Sequence, residues 1–405
     1  MFVRNRNQQR RSQPHRSGLM IPVVAMALVV TGACIALALN RLWLESARVE
    51  LSVCAEAAAL AAGRELAGDD LLRNDTGSQR RQTAAVRTAA RIAAENLVAG
   101  ESVHLDTNPN GDIRFGRLVP DRETGRRRFI ETQFEPNSVT VIARRTRARQ
   151  NPVALLLRSL TGQSEADVVE SAQATIENRV IGVRPFEGVP VPALPLGILQ
   201  DDPTGRISET WNDQIENRSG QDRFAFDVQT GLVRQEPDGI PEIVLRSMRI
   251  RGEDDAVNVQ LVDLDSDFRD SRVLDQVSRG WSAEDLREFG GELLFEGPDW
   301  EMTTSAVISR DVALGLKNVI GRCRICLLYT DHQPLGRVGI GRVRVAGLIA
   351  GRIMAVRLLR AQACEIVFQP GVLTTRTAVL RHDGPQIVGS EEVRNRYIYK
   401  LHLTE

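Results

Sequence analysis

GLMIPVVAMALVVTGACIALAL, residues 18–39, is a run of 22 residues without a charged side chain, and it governs how the rest of the chain is read. About 20 apolar residues suffice to cross the hydrocarbon core as a helix, and a lone segment satisfies its backbone polar groups there only as a helix. Residues 1–17 carry Arg4, Arg6, Arg10, Arg11 and Arg16 beside His15 and no carboxylate. The positive-inside bias therefore predicts a cytoplasmic tail, with everything after Arg41 outside the cytoplasm. A cleaved secretory signal competes, because Ala36-Leu37-Ala38 fits a small-residue cleavage site. Signal h-regions run only about 7–15 residues, however, and a core helix of a soluble protein is rarely so evenly apolar. The run predicts a retained anchor.

Past the span the pattern becomes striped. Leu44, Ala47, Leu51, Ala55, Ala58, Ala62 and Leu66 recur every three or four residues, which is one face of a helix. Glu45, Glu50, Glu56 and Arg64 fall off that face, and alanine supplies the strongest intrinsic helix preference. One helix is predicted from the bilayer to residue 67, about 75 Å long at 1.5 Å per residue. Pro22 lies near its start, and Gly63 and Gly68 mark its weakening end. A narrow stripe of small side chains suits close packing against another helix.

Arg16 to Gly18, the RLWL exit at 41–44, the A-R-x-E-L step at 47–51 and the A-A-A-L-A-A run at 57–62 follow one another in order. Together they resemble the N-terminal segment of TadE/TadG-like proteins of the Tad (Flp) pilus-assembly system. The likeness covers residues 16–67 of 405. It implies a bitopic, non-enzymatic component of a Tad-type pilus or secretion apparatus, without a cofactor, that pairs through its stem helix with other Tad-system proteins. Flp pilins and TadE-type pseudopilins are processed at a glycine followed by a glutamate five residues on, whereas Gly18 here is followed at that distance by Val23. A charge at that depth is costly without a partner, so its absence points toward the TadG branch and an uncleaved anchor. Several TadG proteins also carry a von Willebrand A domain, whose metal site needs a D-x-S-x-S loop of hard oxygen ligands. No such motif occurs. The nearest stretch, Asp263-Leu264-Asp265-Ser266-Asp267, reads as a solvated acidic turn.

The organisation expected is α+β: a tail at 1–17, a transmembrane helix at 18–40, a helical stem at 41–100, a small α+β region at 101–184, a proline-rich linker at 185–200 and a β-rich external region at 201–405. Residues 79–99 stripe as a second helix through Ala85, Ala89, Ile92 and Ala93. Period-two patterns predict strands at 103–106, 112–119, 128–132 and 138–146. Residues 152–160 read as a short apolar helix, and 166–183 as strand. Pro185, Pro190, Pro192 and Pro195 crowd one stretch, which predicts extended chain. Further strands are predicted at 223–228, 243–251, 257–262, 322–330, 338–358, 363–368, 375–380 and 397–403. Helices are expected after the capping-box-like Ser282-Ala283-Glu284-Asp285 and over 310–320. The glycine-interrupted apolar run at 336–351 is rejected as a second span because of Arg337, Arg342, Arg344 and Arg352.

Balanced charge, 52 basic against 52 acidic residues, removes the electrostatic case for nucleic acid as a partner. Cys323-Arg324-Ile325-Cys326, with His332 and Cys364, is the most tempting chemistry, since it matches Cys₃His zinc spacing. Strand alternation puts Cys323 and Cys326 on opposite faces, and no helix N-terminus is at hand to activate a thiolate. In an oxidising compartment a disulfide from Cys364 to Cys323 or Cys326 is the leading expectation, with free buried thiols and metal binding as alternatives. Gly339-Ile340-Gly341 lacks a third glycine and a following helix. His15, His104, His332, His382 and His402 show no catalytic pairing, and Glu391-Glu392 and Asp254-Asp255 sit in polar surroundings. No catalytic, cofactor-binding or metal-ligating set is therefore assigned. A membrane-tethered adhesin or ligand-binding module and an extracytoplasmic hydrolase are the alternatives from other functional classes.

Overall fold

A computed structural model of the chain describes residues 20–73, 78–120, 127–158, 162–247, 257–295, 300–336, 339–359, 364–381 and 394–404. The readings of the tail at 1–17, of the first two residues of the span, of Asp254-Asp255, of Arg337, of His382 and of Glu391-Glu392 lie outside the described residues. The class is α+β, as expected: a long N-terminal apolar helix is followed by a β-rich region of mixed sheets. The helices are α1 (Met20–Leu66), α2 (Ser78–Glu95), α3 (Asp270–Arg279) and α4 (Arg310–Lys317). The strands that build the two larger sheets are β1 (Ile113–Pro120), β2 (Arg127–Glu131), β3 (Ser138–Arg145), β4 (Val168–Glu177), β5 (Ala193–Leu199), β6 (Ile243–Arg246) and β7 (Val259–Val262). They continue with β8 (Trp300–Ser305), β9 (Cys323–Pro334), β10 (Ile340–Leu358), β11 (Cys364–Pro370), β12 (Leu373–Thr374) and β13 (Ile398–Thr404).

Contacts divide the chain into two compact units. The first contains α1 up to Ala55, Ala93–Leu105 and Ile142–Ser171. Here α1 begins with apolar side chains turned outward, Ile21, Met26 and Val29 being 76%, 71% and 72% exposed. It is the one helix among the described residues long and apolar enough to cross a membrane. Further along, Ala47, Leu51 and Ala55 are buried, and the Cys54 thiol reaches the Ala93 carbonyl. The first half of the short helix expected at 152–160 is extended instead: Val153–Ala154 pairs antiparallel with Glu165–Ala166, directly after Pro152. Helical backbone begins only at Arg158, whose carbonyl accepts the Gly162 N–H at 3.0 Å.

The second unit contains Glu56–Ile92, Asp106–Val141 and Ala172–Glu405. One sheet has the order β12-β13-β4-β3-β1-β2. The end of α1 lies against it at Gly63, where a Cβ would come 2.8 Å from Leu401 Cδ1 and 3.3 Å from Ala174 Cβ. Glycine is what lets helix and sheet approach so closely. Thr88 Oγ1 donates to Glu65 Oε1 at 3.1 Å, and Arg81 Nη1 to the Leu66 carbonyl at 3.3 Å, so α2 flanks the same end of α1. Ala58, Ala62 and Leu66 are buried there. The small-residue stripe proposed for packing against another subunit is thus covered by this chain's own residues, with Leu44 alone half-buried. Amphipathicity fixes which face is buried without saying what buries it. Gly63→Ala should destabilise the unit by about 1 kcal/mol, overpacking of about 1–3 kcal/mol being partly offset by a gain of about 1 kcal/mol in helix propensity. Urea unfolding of the solubilised chain measures this, and an increase in stability would contradict the close approach.

The other large sheet closes on itself. β10 pairs with β8, β8 with β7, β7 with β5, β5 with β9, and β9 returns to β10, a five-stranded barrel in which only β5 and β9 run parallel. β10 is 19 residues long. β9 lies along one of its edges, while β8 and then β11 share the other, and β6 extends the sheet beyond β11. Closure leaves the barrel strands without a free edge. One reading holds here and one changes. Residues 340–351 of the apolar run lie in the strand expected there, whereas the expected linker at 185–200 contains β5, all seven of whose residues are buried. Pro195 is tolerated in β5 because the ladder to β9 is interrupted between Ala193 and Gly197, where a missing N–H breaks no bond. Ser282 and Asp285 do form reciprocal cap bonds, of 3.2 and 2.7 Å, but only a single tight turn at Arg287–Phe289 follows.

Candidate functional site

Cys323 on β9, Arg352 on β10 and Gln369 on β11 are register partners across three adjacent strands, so their side chains share one face of the sheet. Carboxylates gather over this row, all within the second unit. Asp69, in the turn that follows α1, accepts from Arg352 Nη1 at 2.6 Å and from the Val372 N–H at 2.7 Å. The Arg352 guanidinium also lies 4.5 Å from the centroid of the Phe226 ring, a cation–π contact that its shielding from water strengthens. A Cβ on Gly371 would strike Arg352 Nη1 at 2.6 Å, so glycine there keeps the arginine in place.

The segment from Asp222 to Glu242 folds around its own acids. Asp222 accepts the N–H groups of Asp238 and Gly239 at 2.9 and 2.8 Å. Asp238 accepts from Ile240 N at 3.0 Å and from Gln369 Nε2 at 3.2 Å. Glu242, 2% exposed, accepts from Phe224 N at 2.7 Å and Arg223 N at 3.0 Å. Burial pushes Asp238 up to about 6; the Ile240 N–H and Arg73 pull it back, and Asp222 and Asp69 push it further. Burial likewise pushes Glu242 up to about 7, against the hydrogen bonds from Arg223 and Phe224 and with Asp222 and Asp238 adding to it. Two neighbouring acids therefore change charge close to neutrality, which perturbed sites at functional positions often do.

Beside this cluster is a small cleft of about 10 Å³, lined by Leu72, Ile215, Arg218, Ile240, Pro241, Pro370, Arg396 and Tyr397. Pockets that enclose a drug-sized ligand run to roughly 300–1,000 Å³, whereas about 10 Å³ is the space of a single water molecule. Its wall is tied down. Glu216 closes a π-helical turn at Asn212–Glu216 and accepts from Tyr397 Oη at 2.5 Å, Arg396 Nη1 at 2.5 Å and Trp211 Nε1 at 3.3 Å. Arg218 donates to the carbonyls of Leu72 and Gly239.

The cysteines do not come together. All five are free. Cys323 stands opposite Arg352, whereas Cys364 stands opposite Leu358, roughly 20 Å further along β10 at about 3.3 Å per residue. A disulfide needs Cα atoms within about 7 Å, so the bridge expected from Cys364 to Cys323 or Cys326 is corrected. Burial pushes the Cys323 thiol up to about 12, Cys364 to about 11 and Cys326 upward as well, which disfavours thiolate chemistry. Among the described residues no group of three or more His, Cys, Asp or Glu side chains is placed to hold a metal ion. The acidic turn after β7 satisfies itself: Asp263 Oδ1 accepts from Ser266 N, Asp267 N and Ser266 Oγ, and Asp265 pairs with Arg287 at 3.0 Å.

Sequence reasoning passed over two arginines. Arg352 served only as an argument against a membrane span, and Arg145 drew no notice. Yet Arg145, in the first unit, is 1% exposed. Its Nε donates to Asn151 O at 2.8 Å, Nη1 to Val98 O, and Nη2 to Glu101 Oε2 at 2.7 Å and Pro152 O at 3.1 Å. Its position at an inward point of the alternation along β3 was the available signal. Compared with family models, curated proteins and solved structures, the chain matches none.

Proposed function

We propose that this is a single-pass, membrane-anchored, non-enzymatic component of a Tad/Flp-type pilus-assembly or secretion apparatus, with its tail in the cytoplasm and its β-rich part in the periplasm. The observation that carries the anchor is α1 itself: it is one helix of 47 residues whose first turns expose apolar side chains and whose last turns are buried in folded protein. The assignment to a Tad-type system rests on the resemblance of residues 16–67 to TadE/TadG-like segments, and the orientation on the arginine-rich tail.

Because the small-residue stripe is buried within the chain, contacts with other subunits in the bilayer fall to the exposed apolar turns before Asn40. The buried carboxylates and the small cleft then serve the shape and pH response of the external part. In the source cell, deleting the gene should abolish Tad pili and the adhesion or export that depends on them, and the intact chain should sediment with the inner membrane. Unchanged pili, adhesion and export in the deletion strain would remove the assembly reading.

A further inference from the structure

The turn at residues 154–158 is held at one level of α1. Asn40 Oδ1 accepts the Leu157 N–H at 3.1 Å, and Trp43 Nε1 donates to the Ala154 carbonyl at 3.0 Å. Asn40 is the first residue after the uncharged run at 18–39, so both bonds lie within one helical turn of the point where the apolar span ends. At this level Leu156 is 56% and Leu42 66% exposed, and Arg41 and Arg158 are exposed as well. An exposed leucine, a tryptophan and two arginines at the end of a membrane span are the chemistry of the headgroup layer, where amphipathic rings and snorkelling cations settle.

We propose that this turn is a second membrane contact. Leu156 enters the boundary between headgroups and acyl chains of the same bilayer that α1 crosses, and Arg41 and Arg158 meet lipid phosphates. The occupant is lipid rather than another protein because the turn is fixed by two side chains at the very exit of the span, where the bilayer surface has to be. The proposal rests on the reading of α1 as an anchor, and its consequence is a helix held at one depth by a contact beside it rather than by the span alone.

The test uses the full chain in vesicles of phosphatidylcholine and phosphatidylglycerol, with a photo-cross-linking benzoylphenylalanine placed singly at Val30, Leu42, Val49 or Leu156, each an exposed position. Val49 lies about 15 Å past the span along the helix at 1.5 Å per residue, beyond a headgroup layer of roughly 5–8 Å. Lipid adducts at Leu156 comparable to those at Leu42, and on the order of tenfold above those at Val49, are expected for an element seated in the boundary layer. Strong adducts at Val30 and Leu42 with none at Leu156 overturn this proposal and leave the anchor standing. Absence of adducts at Val30 overturns the anchor itself.

Discussion

Arg145→Ala is expected to destabilise the first unit by about 3–5 kcal/mol, the scale of several buried acceptors that lose their donor together. Arg145 is buried at the end of β3, and its fork satisfies the carbonyls of Val98, Asn151 and Pro152 as well as Glu101. Burial pulls the guanidinium below its ordinary value, and Glu101 partly restores it. Glu101 is itself 65% exposed, so the ion pair is the smaller part of the effect. The larger part is three carbonyls left without donors, at about 1–3 kcal/mol for each group that water does not reach. Lysine cannot imitate the fork, and Arg145→Lys should recover less than half of the loss. Denaturant titration and limited proteolysis are the readouts, with new cleavage expected between residues 146 and 158. A loss below about 1 kcal/mol would sink the assignment, since that is the scale of a single exposed ion pair. Because Asn151 and Pro152 lead into the turn at 154–158, the same variant should also lower lipid cross-linking at Leu156.

Stability of the second unit should fall as pH rises from about 4.5 to about 8, and Glu242→Gln should flatten that slope. Glu242 rises from 4.5 to about 7 in the folded chain and Asp238 from 3.8 to about 6. Both folded values lie above the unfolded ones, so between them the native state binds more protons and loses stability as pH increases. The contribution of the neutral acids is fully present below the unfolded values and is lost as pH climbs through about 6 and then about 7. For Glu242, 2% exposed, a rise of this size corresponds to at most about 3.5 kcal/mol at about 1.4 kcal/mol per pH unit. Glutamine keeps an oxygen for the N–H groups of Arg223 and Phe224 and carries no charge, so Glu242→Gln should be nearly as stable as the parent at pH 5 and more stable at pH 8. Melting temperatures at the two pH values give the answer. A parent whose stability is flat, or rises, across this interval would show that the two acids are ionised in the folded chain.

Much of the architecture was legible in advance, wherever a residue's environment repeats with a local period. The span, the stem, α2, α4, β1, β3, β9 and β10 were found within a few residues of their ends because periods of 3.6 and 2 report directly which side chains turn inward. The misreadings share a different cause. Prolines made the stretch containing β5 look like a linker, since the break in its ladder that accommodates Pro195 belongs to the pairing with β9, more than a hundred residues away. Three cysteines within 42 positions of one another looked ready to pair, but a strand as long as β10 separates their partners along its length.

The site divides along the same line. The sequence by itself determined that the chain carries a membrane-length apolar helix with an arginine-rich tail and a β-rich remainder, since charge, length and alternation are properties of neighbours in the chain. Tertiary structure alone decided that the stripe of α1 is covered from within, that Arg145 is enclosed by four groups, that Asp238 and Glu242 are drawn out of water with Asp238 against Gln369, and that the turn carrying Leu156 is held to Asn40 and Trp43 of α1. Each of these depends on which strands pair and in what register. Register is set by the summed burial of distant segments, and no short stretch of sequence contains that sum.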